Sequence, residues 1–398
     1  GLGWIFSETD WIKRSLSWLS FGKIRGSYGT AGNDQIGDYQ YQSSNSPVNV
    51  EILYQGVGGL RGDYLSNPYL QWEDIRKLQG GIDLGFWKDR LLLNLGYAVN
   101  RSSNQLIPYV LPAVTGYTNI TVNFPATMQN TSLEFMLNMI IVKTSNLKWT
   151  SSVNLTIPRN KVVAFPDIEN TSYAGGRSGV ILGQPNGVIV LHNFLGVDPL
   201  TGRYLVANGK EDGTPIQFPQ KDPYVLINPN AGYYYGGWQN AITFKGVQMD
   251  FLFQFVRQMG NREFDYWNGT FGAGFFERGM GNQALSVFNR WQKPGDIARV
   301  APYSADPAYV YRASLYPLNN TDAFYSFDAS YIRLKNCSLS WQFPQPFLKK
   351  LGLQSGRIYS QGQNLFTITN YTGLDPETKS VTRLPPLRTW TLGIQIGL

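Results

Sequence analysis

The chain has 398 residues, only 15% of them charged, and a formal net charge of +7. Its Lys and Arg residues occur singly or in pairs such as Lys13-Arg14, so no basic cluster indicates a nucleic-acid partner. One cysteine excludes an internal disulfide, and one histidine with one cysteine cannot build a transition-metal site.

The apolar residues indicate an all-β protein. Aromatic residues make up 14% of the chain, and apolar runs such as residues 139–142 are short. A membrane-spanning helix needs about 20 mostly apolar residues, so any membrane crossing would be made by the strands of a closed barrel. The sequence does not begin with Met, and we expect Gly1 to start a processed or truncated piece of a secreted protein.

Alternation of apolar and polar residues predicts about ten strands after a short strand remnant at residues 1–6. In chain order they are residues 21–29, 73–86, 90–100, 128–142, 147–157, 234–244, 247–259, 327–343, 355–369 and 387–398. The alternation slips at residues 333–336, where we expect a β-bulge. In the last strand, one face carries Trp390, Leu392, Ile394 and Ile396, an arrangement typical of strands whose outer face meets lipid.

Short and long connections alternate along the chain. The long ones are predicted loops at about residues 30–72, 102–127, 158–233, 260–325 and 370–386, and brief turns join the other strand ends. Short turns at one end and long loops at the other are typical of an antiparallel up-and-down transmembrane β-barrel, with periplasmic turns and extracellular loops.

Seven segments stand out in order along nearly the whole chain: residues 27–37 (SYGTAGNDQIG), 289–296 (NRWQKPGD), 330–336 (SYIRLKN), 362–365 (GQNL), 369–371 (TNY), 373–377 (GLDPE) and 386–393 (PLRTWTLG). They resemble the motifs of SusC/RagA-type TonB-dependent outer-membrane transporters. The resemblance implies a barrel of roughly 22 strands with an N-terminal plug. Residues 1–398 would then form one C-terminal portion of that barrel, with ten strands or so and no plug domain.

The resemblance also implies a function and partners. The function is active uptake of an oligosaccharide or peptide nutrient across the outer membrane of a Gram-negative cell, without an enzymatic step and without a cofactor. The implied partners are a SusD-like surface lipoprotein, the TonB complex acting through the missing N-terminal part, the remainder of the barrel and plug, outer-membrane lipid, and a glycan or peptide substrate.

Aromatic residues at the long-loop end are the candidate substrate contacts, because flat aromatic faces beside polar groups suit sugar or peptide ligands. They are Tyr233, Tyr234, Tyr235, Trp238, Trp267 and Trp291. For each of them, packing within the loops is the competing interpretation. The resemblance further implies an outer-membrane assembly signal at the C-terminus, carried by Thr391, Gly393, Ile396 and Leu398.

No catalytic constellation is present in the sequence. His192 is the only histidine and lies in a predicted loop, and a Ser-His-Asp site needs a histidine that meets a nucleophile and a carboxylate. The sequence therefore predicts neither a catalytic nor a transition-metal site. An oxygen-only calcium site among loop Asp and Asn residues stays open.

Two other classes of protein remain as alternatives. A self-contained ten-stranded outer-membrane enzyme has an allowed even strand number, but such membrane proteases need histidine with carboxylates near the loops. A soluble β-rich carbohydrate-binding protein or adhesin would have to bury the apolar stripes. Recovery of the native protein from the aqueous fraction without detergent would favour this last alternative.

Overall fold

The structure is a computed structural model of the chain. It describes residues 1–33, 41–47, 57–171, 173, 180–207, 215–216, 225–227, 232–260, 288–298, 301–302, 327–380 and 383–398. Within these ranges strands predominate and helices are few and short, as the alternation in the sequence predicts.

The elements alternate between long strands and short ones that lie in the connections. The first part of the chain contains β1 (Leu2–Trp4), α1 (Asp10–Ser15), β2 (Leu19–Asn33), β3 (Ser44–Pro47), β4 (Leu60–Tyr64), β5 (Glu73–Phe86), β6 (Leu91–Ser103), β7 (Gln105–Val110), β8 (Asn119–Phe124), β9 (Thr127–Lys143) and β10 (Leu147–Ala164). The second part contains β11 (Ile189–Leu191), β12 (Phe194–Val197), β13 (Tyr204–Ala207), β14 (Pro215–Ile216), β15 (Val225–Ile227), β16 (Gly232–Phe244), β17 (Val247–Gly260), β18 (Phe327–Asp328), β19 (Tyr331–Gln342), α2 (Gln345–Lys350), β20 (Ser355–Thr369) and β21 (Thr389–Gly397). Short 3₁₀ turns lie at Phe6–Glu8, Ala113–Thr115 and Ile168–Asn170.

One antiparallel sheet organises the chain. Its strand order is β1-β2-β5-β6-β9-β10-β16-β17-β19-β20-β21, and β18 adds a short pairing to β17. Every long strand therefore pairs with the long strand before it and the long strand after it. This is the up-and-down meander that the sequence predicts, and it contains the ten predicted strands together with the N-terminal remnant.

The register of this sheet separates two faces. One lateral row of paired residues runs Ile82, Leu95, Phe135, Leu155, Gly236, Phe255, Ile332, Ile368. The neighbouring row runs Asp83, Asn94, Met136, Asn154, Gly237, Gln254, Arg333, Thr367. Because side chains alternate across a strand, the first row lies on what we call the apolar face and the second on the polar face.

The apolar face remains open to the surroundings. Its residues on β21 include Leu392 and Ile394, which are 76% and 63% exposed. The buried apolar clusters lie instead among the connections: Phe124, Ala126, Val162 and Phe165 form one, and Tyr204 with Ala301 forms another. A sheet that leaves large apolar residues exposed along one face is built to meet an apolar medium.

Strand β10 is longer than the sequence indicates. The sequence places a loop from Pro158 onward, whereas the strand continues to Ala164 and pairs with β9 throughout. Its pairing with β16 ends at Thr156, so no neighbouring strand on that side requires a backbone N–H from Pro158. Proline is tolerated there because that edge of β10 is unpaired.

The expected irregularity near residues 333–336 is confirmed. The register of β19 with β17 shifts between Leu334 and Asn336, so that Lys335 is the extra residue on that side. The register of β19 with β20 shifts at the same place, where Asn364 and Leu365 of β20 both lie opposite Lys335. Among the described residues, no helix is long and apolar enough to cross a membrane.

Candidate substrate-facing surface

An ionic cluster marks the long-loop end of the polar face. Arg333 is 2% exposed and donates from Nη2 to Asp375 Oδ2, from Nη1 to Glu377 Oε2 at 2.7 Å, and from Nε to Thr367 Oγ1 at 2.8 Å. Lys335 Nζ contacts the same Glu377 carboxylate at 2.9 Å. The cluster joins β19 to the connection between β20 and β21.

The carboxylate of Asp375 has partners for both oxygens. Oδ1 accepts the backbone N–H groups of Glu377 at 2.9 Å and Thr378 at 3.2 Å, while Oδ2 accepts from Arg333. A buried charge is tolerated when it is paired and fully hydrogen-bonded. Asp375 therefore shapes its own turn and anchors that turn to the sheet.

Two basic residues of β19 reach the same carboxylate. Arg333 and Lys335 are two positions apart, so ordinary alternation places both side chains on the polar face, and both contact Glu377. The extra residue at Lys335 resets the alternation after this pair, so that Asn336 lies opposite Leu252 on the polar face and Cys337 opposite Phe251 on the apolar face.

Two further contacts hold residues 370–380 against the sheet. Gln258 Nε2 donates to the carbonyl oxygens of Pro376 at 2.6 Å and Ala329 at 3.3 Å. Lys379 Nζ donates to Met259 O at 3.3 Å, and burial lowers the pKa of Lys379 below its usual range. The connection after β20 consequently packs back onto β17 and β19 at the long-loop end.

The three consecutive tyrosines of β16 lie in different environments. Tyr235 pairs with Thr156 and Val256, which places it on the polar face, and it is 48% exposed. Tyr234 lies on the apolar face, with its ring 6.5 Å from that of Phe255. Tyr233 occupies the register shift between Gly232 and Tyr234, and its ring lies 5.5 Å beneath the Arg257 guanidinium.

Trp238 belongs to a polar cluster on the apolar face. Its indole Nε1 donates to Ser151 Oγ at 2.9 Å, and its ring stacks on Phe253 at 5.9 Å between centroids. A second tryptophan makes a similar hydrogen bond: Trp149 Nε1 donates to Asn240 Oδ1 at 3.0 Å. The two tryptophans cover two buried polar side chains that would otherwise face an apolar medium.

Trp291 packs within a connection. Its Nε1 donates to Pro199 O at 2.9 Å, and its ring lies where a side chain on Gly202 would be, since an added Cβ would approach the ring to 2.6 Å. Gly202 has φ +72°, which suits glycine. Trp267 lies outside the described residues. Contact with substrate stays a prediction for all six aromatic residues, and Tyr235 has the position that suits it best.

The four residues of the predicted assembly signal divide between the two faces. Thr391 pairs with Gln361 and Gly393 with Tyr359 on the polar face, whereas Ile396 lies on the apolar face. Leu398 follows the strand and is 89% exposed. Their function in assembly stays a prediction.

The described residues contain no group of three or more His, Cys, Asp and Glu side chains suited to a metal ion. Burial lowers the pKa of His192. Cys337 lies on the apolar face, opposite Phe251.

The sequence did not identify Arg333, Asp375 and Glu377 as a site. Their motifs at residues 330–336 and 373–377 were visible, and alternation places Arg333 and Lys335 on one face. The pairing itself joins residues 42 positions apart, and no local pattern encodes it.

The two-faced antiparallel meander, with brief turns at one end and long connections at the other, defines the class of protein: this is the strand architecture of a transmembrane β-barrel. No protein-family model matches the chain. A solved structure of the RagAB peptide transporter superimposes with a TM-score of 0.82 at 22% identity, over 99% of this chain and 42% of that one.

Curated relatives agree with the structural match. TonB-dependent receptor P3 of Formosa agariphila is 26% identical over 436 residues, covering 99% of this chain and 41% of the relative. TonB-dependent receptor SusC of Bacteroides thetaiotaomicron is 23% identical over 415 residues, covering 99% and 39%. The resemblance to SusC/RagA-type TonB-dependent receptors is thereby confirmed, and this chain spans about two fifths of the length of the relatives it matches.

Proposed function

We propose that this chain forms part of the barrel wall of an outer-membrane transporter that takes up an oligosaccharide or peptide nutrient. The observation that carries the proposal is the two-faced sheet, whose apolar face suits lipid and whose polar face suits a water-filled passage. The relatives are named receptors and the structural match a peptide transporter, which supports transport over catalysis.

The polar face offers the groups that a hydrophilic nutrient needs. Along β17, Gln248, Asp250 and Gln254 alternate with apolar residues and lie on the polar face. Amide and carboxylate groups bind hydroxyl and peptide groups through hydrogen bonds. Such a surface provides many weak contacts along a passage.

Tyr235 is the residue we assign to substrate contact on this surface. It lies on the polar face near the end of β16 and is half exposed, so its ring is available to a ligand. Tyr234 and Trp238, by contrast, have their rings packed on Phe255 and Phe253. An aromatic ring beside polar side chains binds either a sugar ring or a peptide side chain.

The proposed partners follow from the same assignment. A SusD-like surface lipoprotein would meet the long-loop end and deliver substrate there. The TonB complex would supply energy through a plug located in a part of the protein that precedes this sequence. Co-purification of a surface lipoprotein with the full-length gene product in mild detergent tests the first of these partnerships.

Uptake measurements test the function directly. A deletion strain and its complemented parent are supplied with labelled peptides or labelled oligosaccharides, and accumulated label is measured with and without a protonophore. We expect one substrate class to accumulate only in the complemented strain and only without the protonophore. Equal accumulation of label in the deletion strain and in the complemented strain, for both substrate classes, would contradict the proposal.

A matched pair of tyrosine substitutions tests the site. Tyr235→Ala removes a ring from the polar face, whereas Tyr28→Ala removes a 63% exposed ring from the apolar face. We expect Tyr235→Ala to weaken uptake about tenfold, the effect of losing one well-placed aromatic contact. Tyr28→Ala should leave uptake unchanged, and equal loss in both variants would remove Tyr235 from the site.

A further inference from the structure

The apolar face ends in basic residues at the long-loop end of several strands. On each strand, the basic residue lies two positions from an apolar one, toward the long-loop end. The pairs are Leu78 and Arg76 on β5, Val99 and Arg101 on β6, Ile157 and Arg159 on β10, and Phe255 and Arg257 on β17. Lys161 lies one step beyond Arg159. All of these basic side chains are exposed. We call Arg76, Arg101, Arg159, Lys161 and Arg257 the basic row.

Strand pairing connects the members of the basic row. Arg76 lies directly opposite Arg101, Arg101 opposite Gln129, and Gln129 opposite Lys161. Arg101 Nε also donates to Gln129 Oε1 at 2.8 Å. Like charges directly opposite each other on a sheet are unfavourable unless an anion lies between them.

The other half of the row is joined through Tyr233. Arg159 Nη1 donates to Tyr233 O at 2.9 Å, and the Arg257 guanidinium lies 5.5 Å above the ring of the same residue. Both guanidinium groups keep N–H donors free for an external acceptor, because each arginine carries five.

The described residues supply little compensating negative charge. None of the five basic side chains forms an ion pair with a described carboxylate. Asp74 and Asp328 are the described acids that share this end of the apolar face. Asp328 accepts the backbone N–H of Ser330 at 2.9 Å. The net charge of this surface therefore remains strongly positive.

A groove adjoins Arg257. It has a volume of about 670 Å³, and its lining includes the apolar residues Phe255, Ile332 and Ile368 together with Tyr234, Arg257 and Asp328. Its apolar walls lie on the face that suits lipid. An apolar groove with a guanidinium at its edge matches a molecule that has a hydrocarbon chain and an anionic head.

We propose that the basic row binds the phosphate groups of lipids that surround the long-loop end of the sheet, with an acyl chain lying in the groove beside Arg257. Arginine binds phosphate through paired N–H donors, and basic residues at a membrane boundary attract anionic headgroups. The inference rests on the lipid-facing assignment of the apolar face and is independent of substrate uptake.

Native mass spectrometry of the full-length gene product in detergent tests the proposal. The protein is titrated with diphosphorylated lipid A and, separately, with the same lipid A after removal of its phosphates. We expect the phosphorylated lipid to bind about tenfold more tightly, with the preference falling as salt increases. Equal binding of the two lipids overturns the proposal.

Substitution variants locate the site. A variant with Arg76→Gln, Arg101→Gln, Arg159→Gln, Lys161→Gln and Arg257→Gln should lose the preference for phosphate. A control with the same number of changes at the short-turn end, Lys88→Gln, Lys148→Gln, Lys245→Gln, Lys349→Gln and Lys350→Gln, should retain it. If the control variant loses the preference for the phosphorylated lipid and the test variant retains it, the assignment is overturned.

A smaller change guards against misfolding of the fivefold variant. The double variant Arg76→Gln, Arg101→Gln removes only the directly opposed pair and should reduce the preference about threefold while the protein stays folded. An unchanged preference in the folded double variant counts against the row. Because binding is read without transport, failure of this proposal is distinguishable from failure of the proposed uptake.

Discussion

At the scale of the residue, Asp375 is buried with both carboxylate oxygens hydrogen-bonded. Its two oxygens accept two backbone N–H groups and one guanidinium N–H. The stability that such a carboxylate contributes depends on the comparison. Replacing both partners of a buried ion pair by apolar residues changes the free energy of unfolding little, whereas removing only one partner lowers it strongly. The contact between Asp375 and Arg333 is therefore best tested by truncating one of the two side chains.

Asp375→Ala should release the connection after β20. It removes one of the two carboxylates that pair with the buried Arg333 and leaves Glu377 as the other, so we expect a cost of about 1–3 kcal/mol in local stability. Hydrogen exchange of residues 370–380 in the full-length gene product measures it. Arg25→Gln is the control, because the Arg25–Asp83 pair is half exposed and worth less than about 1 kcal/mol. Similar exchange rates in both variants would contradict the anchoring role.

Gly393 is required where the ring of Tyr359 lies close to the backbone of β21. A Cβ added there would lie 2.4 Å from the Tyr359 ring, so alanine forces the ring to move. We expect Gly393→Ala to cost about 1–3 kcal/mol through overpacking and to lower the yield of folded protein in the outer membrane. The double variant Tyr359→Ser, Gly393→Ala should recover that yield. Failure to recover would point to recognition of Gly393 itself during assembly.

At the scale of the element, the turn between β16 and β17 consists of Lys245 and Gly246. Both have positive φ, +47° and +85°, the pattern of a two-residue hairpin turn. The flanking residues Phe244 and Val247 pair directly, so the turn fixes the register of the whole hairpin. A slip of one position would move every apolar side chain to the polar face.

Gly246→Ala should destabilise this hairpin by about 1 kcal/mol, because an alanine in the left-handed region is strained. The added Cβ would also lie 3.3 Å from Gln342 O. Gly80→Ala provides the control, since nothing lies within 4 Å of its Cβ position. Thermal unfolding in detergent measures both variants, and an equal or greater loss at Gly80 would contradict the turn argument.

Strand β19 combines a regular pair of basic residues with an irregular position. Arg333 and Lys335 share one face through alternation, and both contact Glu377. The extra residue at Lys335 resets the alternation, so that Cys337 and the residues after it keep their apolar side chains on the apolar face. The strand is irregular beside the position where the connection after β20 attaches.

At the scale of the whole molecule, the two faces of the sheet separate two media. Phe135 and Met136 are neighbours on β9 with opposite surroundings. Phe135 pairs with Leu95 and Leu155 on the apolar face, and Met136 pairs with Asn94 and Asn154 on the polar face. They form a matched pair for testing which face meets lipid.

Phe135→Arg should cost about 2–4 kcal/mol, the penalty for a cation facing the bilayer interior. Met136→Arg should be tolerated, because a charge on the polar face stays hydrated. The amount of folded full-length gene product in the outer membrane measures both effects. The reverse order, with Met136→Arg the more damaging, would exchange the two faces.

The sequence by itself determined the strands and their faces. A period of two is a local property, so residues 73–86 and 355–369 were located to the residue from alternation alone. The slip at residues 333–336 likewise predicted the bulge of β19. The end of β10 was misjudged at Pro158, since only the neighbouring strand decides whether a missing N–H matters.

Only the tertiary structure decided which residues meet across the sheet. Alternation separates Tyr235 from Tyr234 and Trp238, but only the packing shows that the rings of Tyr234 and Trp238 lie against Phe255 and Phe253, whereas Tyr235 stays half exposed. The contact of Arg333 with Asp375 and the alignment of the basic row join residues distant in the chain. Such contacts depend on strand register and on the path of the connections, whereas alternation records only the two sides of a single strand.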